Sequence, residues 1–83
     1  MSTHYVYIIR CGDDTFYTGY TTDLDRRVAE HNAGTGAKYT RGRTPVELVY
    51  HEAHPSKSNA MKREYELKQR THAKKAELAC EER

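Results

Sequence analysis

The stretch HYVYIIRCGDDTFYTGY, residues 4–20, decides the fold of this chain. Its first part, His4 to Cys11, alternates along the chain and is rich in β-branched and aromatic residues, which is typical of a β-strand. Gly12-Asp13-Asp14 is a turn signal, and Thr15 to Tyr20 has the composition of a second strand. The sequence therefore predicts a β-hairpin.

The length of the hairpin loop decides which side chains share a face of the sheet. A three-residue loop pairs Cys11 with Thr15 and hence Tyr7 with Gly19, and it brings Tyr7 and Tyr17 onto one face. A loop one residue longer places the two tyrosines on opposite faces. We predict the three-residue loop.

A helix is predicted directly after the hairpin. Thr22-Asp23 is an N-cap signal and Gly34 is a stop signal. Leu24 and Val28 mark the buried side of this helix.

The remaining elements complete an α+β fold. We predict a basic loop over residues 35–43 and a third strand over residues 45–52. A second helix is predicted over residues 56–70 and a short third helix over residues 71–80. In the third strand, Val46, Leu48 and Tyr50 alternate and are expected on one face. The first two strands form a tight hairpin, so the three strands cannot form a parallel sheet. We therefore expect a small three-stranded antiparallel sheet flanked by helices, in the order β-β-α-β-α-α. The 83 residues are expected to form a single domain.

Composition excludes several classes of protein. No stretch approaches the roughly 18–20 apolar residues of a membrane span, and the N-terminus lacks the features of a signal peptide, so we expect a cytoplasmic protein. Cys11 and Cys80 have no CxxC spacing and are expected to be reduced. His51 and His54 are one residue short of a zincin helix motif, so we predict no metal there.

The distribution of charge points to a polyanionic partner. The net charge is only +2, but residues 35–46 contain three basic side chains and no acidic one. Residues 56–75 contain seven basic side chains against Glu64 and Glu66. Such basic segments are typical of proteins that bind nucleic acids. Judged by charge alone, an ordinary solvated surface is an equally good explanation.

Glu64 is the most informative residue of the second helix. With Ala60 set at zero degrees, Leu67 lies at about −20° and Glu64 at about 40°, so the carboxylate falls within the apolar stripe. Glutamate is almost never fully buried unless it is paired. Three interpretations stay open: Glu64 pairs with a buried base such as Arg27, it binds a metal, or the stripe faces a cleft.

Four further residues complete a candidate catalytic set. Tyr7 and Tyr17 share the hairpin face, while Arg27 and His31 are one turn apart on the first helix. Each of these is more often a packing or surface residue when taken alone. Together with Glu64 they supply what phosphodiester cleavage needs, namely deprotonation of a water, stabilisation of charge on the phosphate and neutralisation of the leaving oxygen.

At these positions the sequence resembles the GIY-YIG nuclease superfamily, over roughly residues 4–75. The matching motifs follow in order: Val6-Tyr7-Ile8, Tyr17-Thr18-Gly19, Thr22-Asp23-Leu24-Asp25-Arg26-Arg27 with His31, and Ala60 to Lys68 with Glu64. The loop from Gly36 to Arg41 further resembles that of the small stand-alone bacterial members. Tyr20 occupies the position that is often lysine in the superfamily's repair and restriction members.

The resemblance implies a role for each residue of the catalytic set. Glu64 would bind one divalent cation, Mg²⁺ or Mn²⁺, because one carboxylate with phosphate and water oxygens suits magnesium. Tyr7 would be the general base or would position the attacking water, with Tyr17 assisting. Positive charge from Arg27 or the metal would favour the ionised form of Tyr7. Arg27 would hold phosphate oxygens, and His31 would accept or relay a proton or order the site.

The implied function is a metal-dependent endonuclease that acts on DNA, in repair or processing. Branched and single-stranded DNA are both candidate substrates, and RNA also stays open, as does the choice between a monomer and a weak dimer. The alternative is a catalytically weak nucleic-acid-binding module on the same fold. The residues expected to contact nucleic acid are Lys38, Thr40, Arg41, Arg43 and Lys68.

Overall fold

A computed structural model describes residues 3–69 of the chain. The elements are β1 (His4–Arg10), β2 (Phe16–Thr21), α1 (Leu24–Asn32), a 3₁₀ turn (Lys38–Thr40), β3 (Glu47–His54) and α2 (Lys57–Lys68). This arrangement confirms the predicted α+β class. The short third helix predicted over residues 71–80 lies outside the described residues. Neither helix between residues 3 and 69 is long and apolar enough to cross a bilayer.

The three strands form an antiparallel sheet in the order β2-β1-β3, with β1 in the centre. Four successive residues of β1, Val6 to Ile9, are 0–1% exposed, so both faces of the central strand are covered. Val6 and Ile8 join the cluster that packs against α2. Tyr7 and Ile9 join the cluster on the opposite face, beside α1. The sheet therefore separates two thin cores.

The hairpin has the predicted register. Tyr7 lies opposite Gly19, and the Cys11 amide donates to the Thr15 carbonyl oxygen at 2.8 Å. The last loop residue, Asp14, has a φ of +67°, the left-handed conformation that three-residue hairpin loops commonly need and that aspartate tolerates. Tyr7 and Tyr17 consequently share one face, as predicted.

The predicted alternation in the third strand is wrong because β3 contains a bulge. Ile8 lies opposite Tyr50 whereas Ile9 lies opposite Leu48, so Val49 is an extra residue. Leu48 packs with the Tyr17 side of the sheet, but Val49 packs with the opposite core. An extra residue reverses the direction of every side chain that follows it. The strand also begins two residues later than expected and extends to His54.

Helix α1 begins and ends where the sequence predicts. The Asp23 side chain accepts a hydrogen bond from the Arg26 amide at 3.1 Å, which caps the helix N-terminus. Gly34, beyond the C-terminus, has a φ of +82°. Leu24 and Val28 are half-buried and pack on the Tyr7 core, and the fully buried residue of this helix is His31.

Helix α2 is attached to the other face of the sheet by an apolar stripe and by an ion pair. Ala60 and Leu67 are fully buried, and Ser56 caps the N-terminus by accepting from the Asn59 amide at 3.2 Å. The Arg63 Nε atom donates to the two carboxylate oxygens of Glu52, at 2.9 and 3.0 Å. This ion pair between α2 and β3 was not predicted from the sequence.

Truncation of Leu67 tests the importance of the α2-side core. We expect Leu67→Ala to lower the free energy of unfolding by about 2–5 kcal/mol, because it removes a fully buried side chain and leaves a cavity. Met61 on the same helix is 40% exposed, so Met61→Ala is the matched control and should cost about 0.5 kcal/mol or less. Urea denaturation followed by circular dichroism measures both, and equal losses would contradict this packing.

Candidate active site

The centre of the candidate site is a buried pair formed by Tyr7 of β1 and His31 of α1. The Tyr7 hydroxyl lies 2.9 Å from the Nε2 atom of His31. The two rings meet edge to face, with centroids 5.9 Å apart. Tyr7 is 1% exposed and His31 is 0% exposed. The pair is therefore a fixed hydrogen bond between two ionisable groups inside the protein.

Gly19 of β2 makes room for the Tyr7 ring. A Cβ atom at this position would lie 2.6 Å from the Tyr7 Cζ atom and would overlap the hydroxyl. Any side chain at position 19 would push the hydroxyl out of place. The glycine of the second signature triplet is therefore needed to leave space for the Tyr7 ring. The motif alone does not reveal this steric role.

Tyr17 lies next to the same histidine. Its ring meets the His31 ring edge to face, with centroids 5.4 Å apart. Tyr17 also stacks with Tyr39; the two ring centroids are 5.7 Å apart and the ring planes meet at 26°. Tyr39 is 43% exposed. A layer of aromatic rings therefore runs from the buried histidine to the protein surface.

Arg27 is half-buried beside the Tyr7 hydroxyl. Its guanidinium lies close enough to lower the pKa of Tyr7, and its Nη1 atom donates to Glu30 at 3.1 Å. The ion pair of Arg27 among residues 3–69 is thus with Glu30, one turn along its own helix, rather than with Glu64. The sequence had left an Arg27–Glu64 pair open as one explanation of the semi-buried carboxylate.

Burial determines the protonation state of Tyr7. Desolvation raises the pKa of Tyr7 to about 12, although the hydrogen bond and positive charge of Arg27 act in the opposite direction. The negative charge of Glu64 raises the pKa further. The expected lowering by Arg27 is present but is outweighed by burial. Tyr7 is consequently a neutral phenol near pH 7.

The same burial has the opposite effect on His31. Desolvation, followed by the nearby positive charge of Arg27, lowers the pKa of His31 below its ordinary value of 6.5. A buried base is disfavoured in its charged form. His31 is therefore a neutral imidazole near pH 7 and is able to accept a proton from its partner.

Glu64 of α2 is within electrostatic range of this pair. Its charge acts on the pKa of Tyr7, and its side chain is only 13% exposed. Among the described residues, its ion-pair partner is Lys68, at 3.7 Å, which is longer than a hydrogen bond. Glu52 provides the contrast, because that carboxylate is saturated by Tyr50, His54 and Arg63.

The carboxylate of Glu64 fits a cation that needs few protein ligands. Within residues 3–69, no three His, Cys, Asp or Glu side chains gather closely enough to form a metal cage. Zinc and calcium sites are built from several protein ligands. Magnesium commonly takes one or two carboxylates and completes its shell with water and phosphate oxygens. The donor set present here suits Mg²⁺ or Mn²⁺.

The loop between α1 and β3 carries cations beside the aromatic layer. Lys38 and Arg41 are exposed, and Lys68 on α2 has a side chain that is 52% exposed. Arg43 is engaged within the protein, because it forms an ion pair with Asp13 and lies 4.5 Å above the Tyr39 ring.

Thr40 occupies a different position from the one predicted for a contact with nucleic acid. It is 1% exposed, and its Oγ1 atom lies 2.8 Å from the Nδ1 atom of His31. Its hydroxyl is thus occupied inside the protein. The position of Thr40 within a basic loop had suggested the surface, and no periodicity in that loop signals its burial.

The base of this loop is closed by hydrogen bonds. Asn32 donates to the Val46 carbonyl oxygen at 3.2 Å and accepts from the Val46 amide at 2.7 Å. The Gly12 amide donates to the Arg43 carbonyl oxygen at 2.5 Å. The loop is therefore attached to the end of α1 and to the hairpin turn.

Tyr20, the residue at the position often occupied by lysine, faces the α2 side of the sheet. Its hydroxyl lies 2.7 Å from the Nδ1 atom of His4, and the two rings are stacked. Lys57 at the start of α2 lies 6.0 Å from the Tyr20 ring centroid. Tyr20 therefore belongs to the packing of α2 rather than to the Tyr7–His31 pair.

Comparison with known proteins identifies the family to which this fold belongs. Residues 3–77 match the model of the GIY-YIG catalytic domain, and the chain belongs to this family of nuclease domains. A UPF0213 protein of Natronomonas pharaonis is 63% identical over 95% of this chain and 93% of its own length. The solution NMR structure of a UPF0213 protein from Bacillus halodurans is 55% identical, covers 94% of this chain and 83% of that chain, and has a TM-score of 0.59. A protein from E. faecalis solved in the same way is 44% identical, with coverages of 90% and 80% and a TM-score of 0.61.

Substitution of Gly19 tests the steric contact at the centre of the site. We expect Gly19→Ala to lower the free energy of unfolding by about 1–3 kcal/mol, because the new methyl group overlaps a buried ring. In a Tyr7→Leu background the phenol end is absent, so the same substitution should cost clearly less. A double-mutant cycle by urea denaturation measures the difference. An equal loss of unfolding free energy in both backgrounds would show that Tyr7 is not the group that excludes a side chain from position 19.

Proposed function

We propose that this protein is an endonuclease that hydrolyses phosphodiester bonds of DNA with the help of Mg²⁺ or Mn²⁺, in repair or processing of DNA. The observation that carries this proposal is the buried Tyr7–His31 hydrogen bond, flanked by the guanidinium of Arg27 and within range of the Glu64 charge. This arrangement supports His31 as a proton acceptor, Arg27 as a phosphate-binding cation and Glu64 as a metal ligand.

The protonation states favour a relay through Tyr7. A phenol with a pKa of about 12 is almost wholly protonated near neutrality, so it cannot act as a resting tyrosinate. It can take a proton from the attacking water while passing its own proton to the Nε2 atom of His31. The hydroxide electron pair then forms the new bond to phosphorus, and the bond to the leaving oxygen breaks. The leaving oxygen takes a proton from solvent water.

The charge that develops on the phosphate is met by Arg27. Its planar guanidinium can donate two parallel hydrogen bonds to phosphate oxygens, which lysine cannot reproduce. The Glu64 carboxylate would hold the divalent cation, which when bound supplies Lewis-acid stabilisation of the phosphate and the leaving oxygen. Tyr17, whose ring contacts His31, would orient the water or the phosphate.

Contacts to the backbone of DNA would come from exposed cations. Lys38 and Arg41 on the loop and Lys68 on α2 are the side chains suited to this role. Such contacts give binding that depends strongly on salt and little on base sequence.

A substrate panel with two glutamate variants tests the proposed activity. Branched, single-stranded and duplex DNA, and RNA, are incubated with the protein in Mg²⁺, in Mn²⁺ and with chelator. We expect metal-dependent cleavage by the wild type, and a loss of about 100-fold or more in Glu64→Gln with DNA affinity nearly unchanged. Glu66→Gln is the matched control, since Glu66 lies on the same helix with a side chain that is 64% exposed.

Two outcomes would contradict the assignment. Cleavage by Glu64→Gln at the wild-type rate would remove the metal role of Glu64, and gel shifts without products from any substrate would favour a binding module. Metal binding has a readout that does not need activity. Mn²⁺ added to ¹⁵N-labelled protein should broaden amide signals around Glu64, and Glu64→Gln should abolish this broadening.

The relay also predicts the pH dependence of cleavage. His31 must be neutral to accept the proton, and its pKa lies below 6.5, so the rate should be unaffected by this group down to about pH 6.5 and should fall at lower pH. The unfolded chain takes up this proton at a higher pH than the folded chain, so stability also falls in the acid range. Circular dichroism must therefore be followed in parallel. A rate that declines from pH 8 to pH 7 while the fold is intact would contradict the relay.

A further inference from the structure

The relay leaves the buried hydroxyl of Thr40 without an assigned role. The Thr40 Oγ1 atom lies 2.8 Å from the Nδ1 atom of His31 and 2.9 Å from the Ala37 carbonyl oxygen. Thr40 is 1% exposed. It therefore contacts the histidine on the ring nitrogen that faces away from Tyr7.

We propose that Thr40 is a positioning residue that holds His31 in the tautomer with its proton on Nδ1, so that Nε2 is kept bare to receive the proton of Tyr7. The catalytic consequence rests on the proposed nuclease function, whereas the tautomer itself does not. A neutral imidazole carries one proton on either nitrogen, and the partner of one nitrogen decides which.

The direction of the hydrogen bonds supports this tautomer. Arg27 carries only donors, so any hydrogen bond between its guanidinium and Tyr7 would have the Tyr7 oxygen as the acceptor. The proton of the Tyr7 hydroxyl then needs an acceptor, and the Nε2 atom of His31 lies 2.9 Å away. A buried hydroxyl that received hydrogen bonds from both partners would have no acceptor for its own proton between them, which is costly. The Tyr7–His31 contact therefore fits a bare Nε2.

The hydrogen bonds of Thr40 indicate the same tautomer of His31. The Ala37 carbonyl oxygen can only accept, and the Thr40 hydroxyl donates to it. The Thr40 oxygen is then available to accept from the Nδ1–H group of His31. The donors run in one sequence from Tyr7 through His31 and Thr40 to the Ala37 carbonyl oxygen, with each hydroxyl and the ring donating once.

A second contact at Nδ1 shows what Thr40 prevents. The Ala37 amide points at the Nδ1 atom from 3.4 Å, and this weaker contact suits the opposite tautomer, in which Nδ1 is bare. The approach is close because the loop runs against the ring. A Cβ atom at Gly36 would lie 2.9 Å from the His31 Cα atom. Without the Thr40 hydroxyl, the amide would become the partner of Nδ1, and the proton on Nε2 would then block transfer from Tyr7.

The tautomer is measured directly by NMR of the histidine ring nitrogens, assigned with a His31→Asn variant. In wild-type protein near pH 7.5 we expect His31 to show a protonated Nδ1 and a bare Nε2. In Thr40→Val we expect the proton to shift to Nε2, and in Thr40→Ser to return to Nδ1. A wild-type spectrum with the proton on Nε2, or an unchanged tautomer in Thr40→Val, would overturn the proposal.

Cleavage assays test the consequence. We expect Thr40→Val to lose about 100-fold or more in rate, because general acid–base transfer contributes about that much, and Thr40→Ser to recover to within about tenfold of wild type. Thr18→Val is the matched control, since Thr18 is 2% exposed and its hydroxyl has no partner among the described residues. Its rate should stay near that of the wild type. A Thr40→Val protein that keeps full activity with a shifted tautomer would also overturn the proposal.

The two measurements separate the possible failures. If the wild type cleaves no substrate, the proposed function fails, while the ring spectra still decide the tautomer. If Thr40→Val does not fold, the wild-type and Thr40→Ser spectra decide it, because a bare Nδ1 in either one contradicts the proposed hydrogen bond.

Discussion

The hydrogen bond between Tyr7 and His31 is the constraint on which the rest of the site depends. It joins the central strand to the first helix inside the core, where neither group can exchange its partner for water. Burial raises the pKa of Tyr7 and lowers the pKa of His31, which leaves both groups neutral near pH 7. A pair of titratable groups that the environment separates in this way is a frequent mark of acid–base function.

The two faces of the sheet divide the work between them. On the α1 side the aromatic and cationic groups assemble around Tyr7, while the α2 side is built by apolar packing and by the Glu52–Arg63 ion pair. That ion pair attaches α2 to the sheet one residue before Glu64. Glu52 is saturated by hydrogen bonds to Tyr50, His54 and Arg63, whereas the described ion-pair partner of Glu64 is Lys68, at 3.7 Å. Such a division lets a domain this thin keep a charged group near its core.

Local patterns predicted much of this arrangement and missed what depends on contacts distant in sequence. The hairpin register and both ends of α1 follow from turn and capping residues, so the pairing of Tyr7 with Gly19 was accessible from the sequence. The bulge at Val49 was not, because alternation cannot show an extra residue between two strand segments. The burial of Thr40 was also hidden, since a short polar residue in a basic loop has no periodic signal. The motif resemblance identified candidate residues, and the geometry indicates which of them touch.

The closure of the loop after α1 has a consequence for association. Asn32 is hydrogen-bonded to Val46 at the base of this loop, and Arg43 forms an ion pair with Asp13 of the hairpin turn. A flexible basic arm loses conformational entropy when it settles on a polyanion, whereas a preorganised one does not. The backbone that carries Lys38 and Arg41 is held at both ends by contacts within the protein, so the proposed contacts with DNA would cost less conformational entropy than those of a free arm.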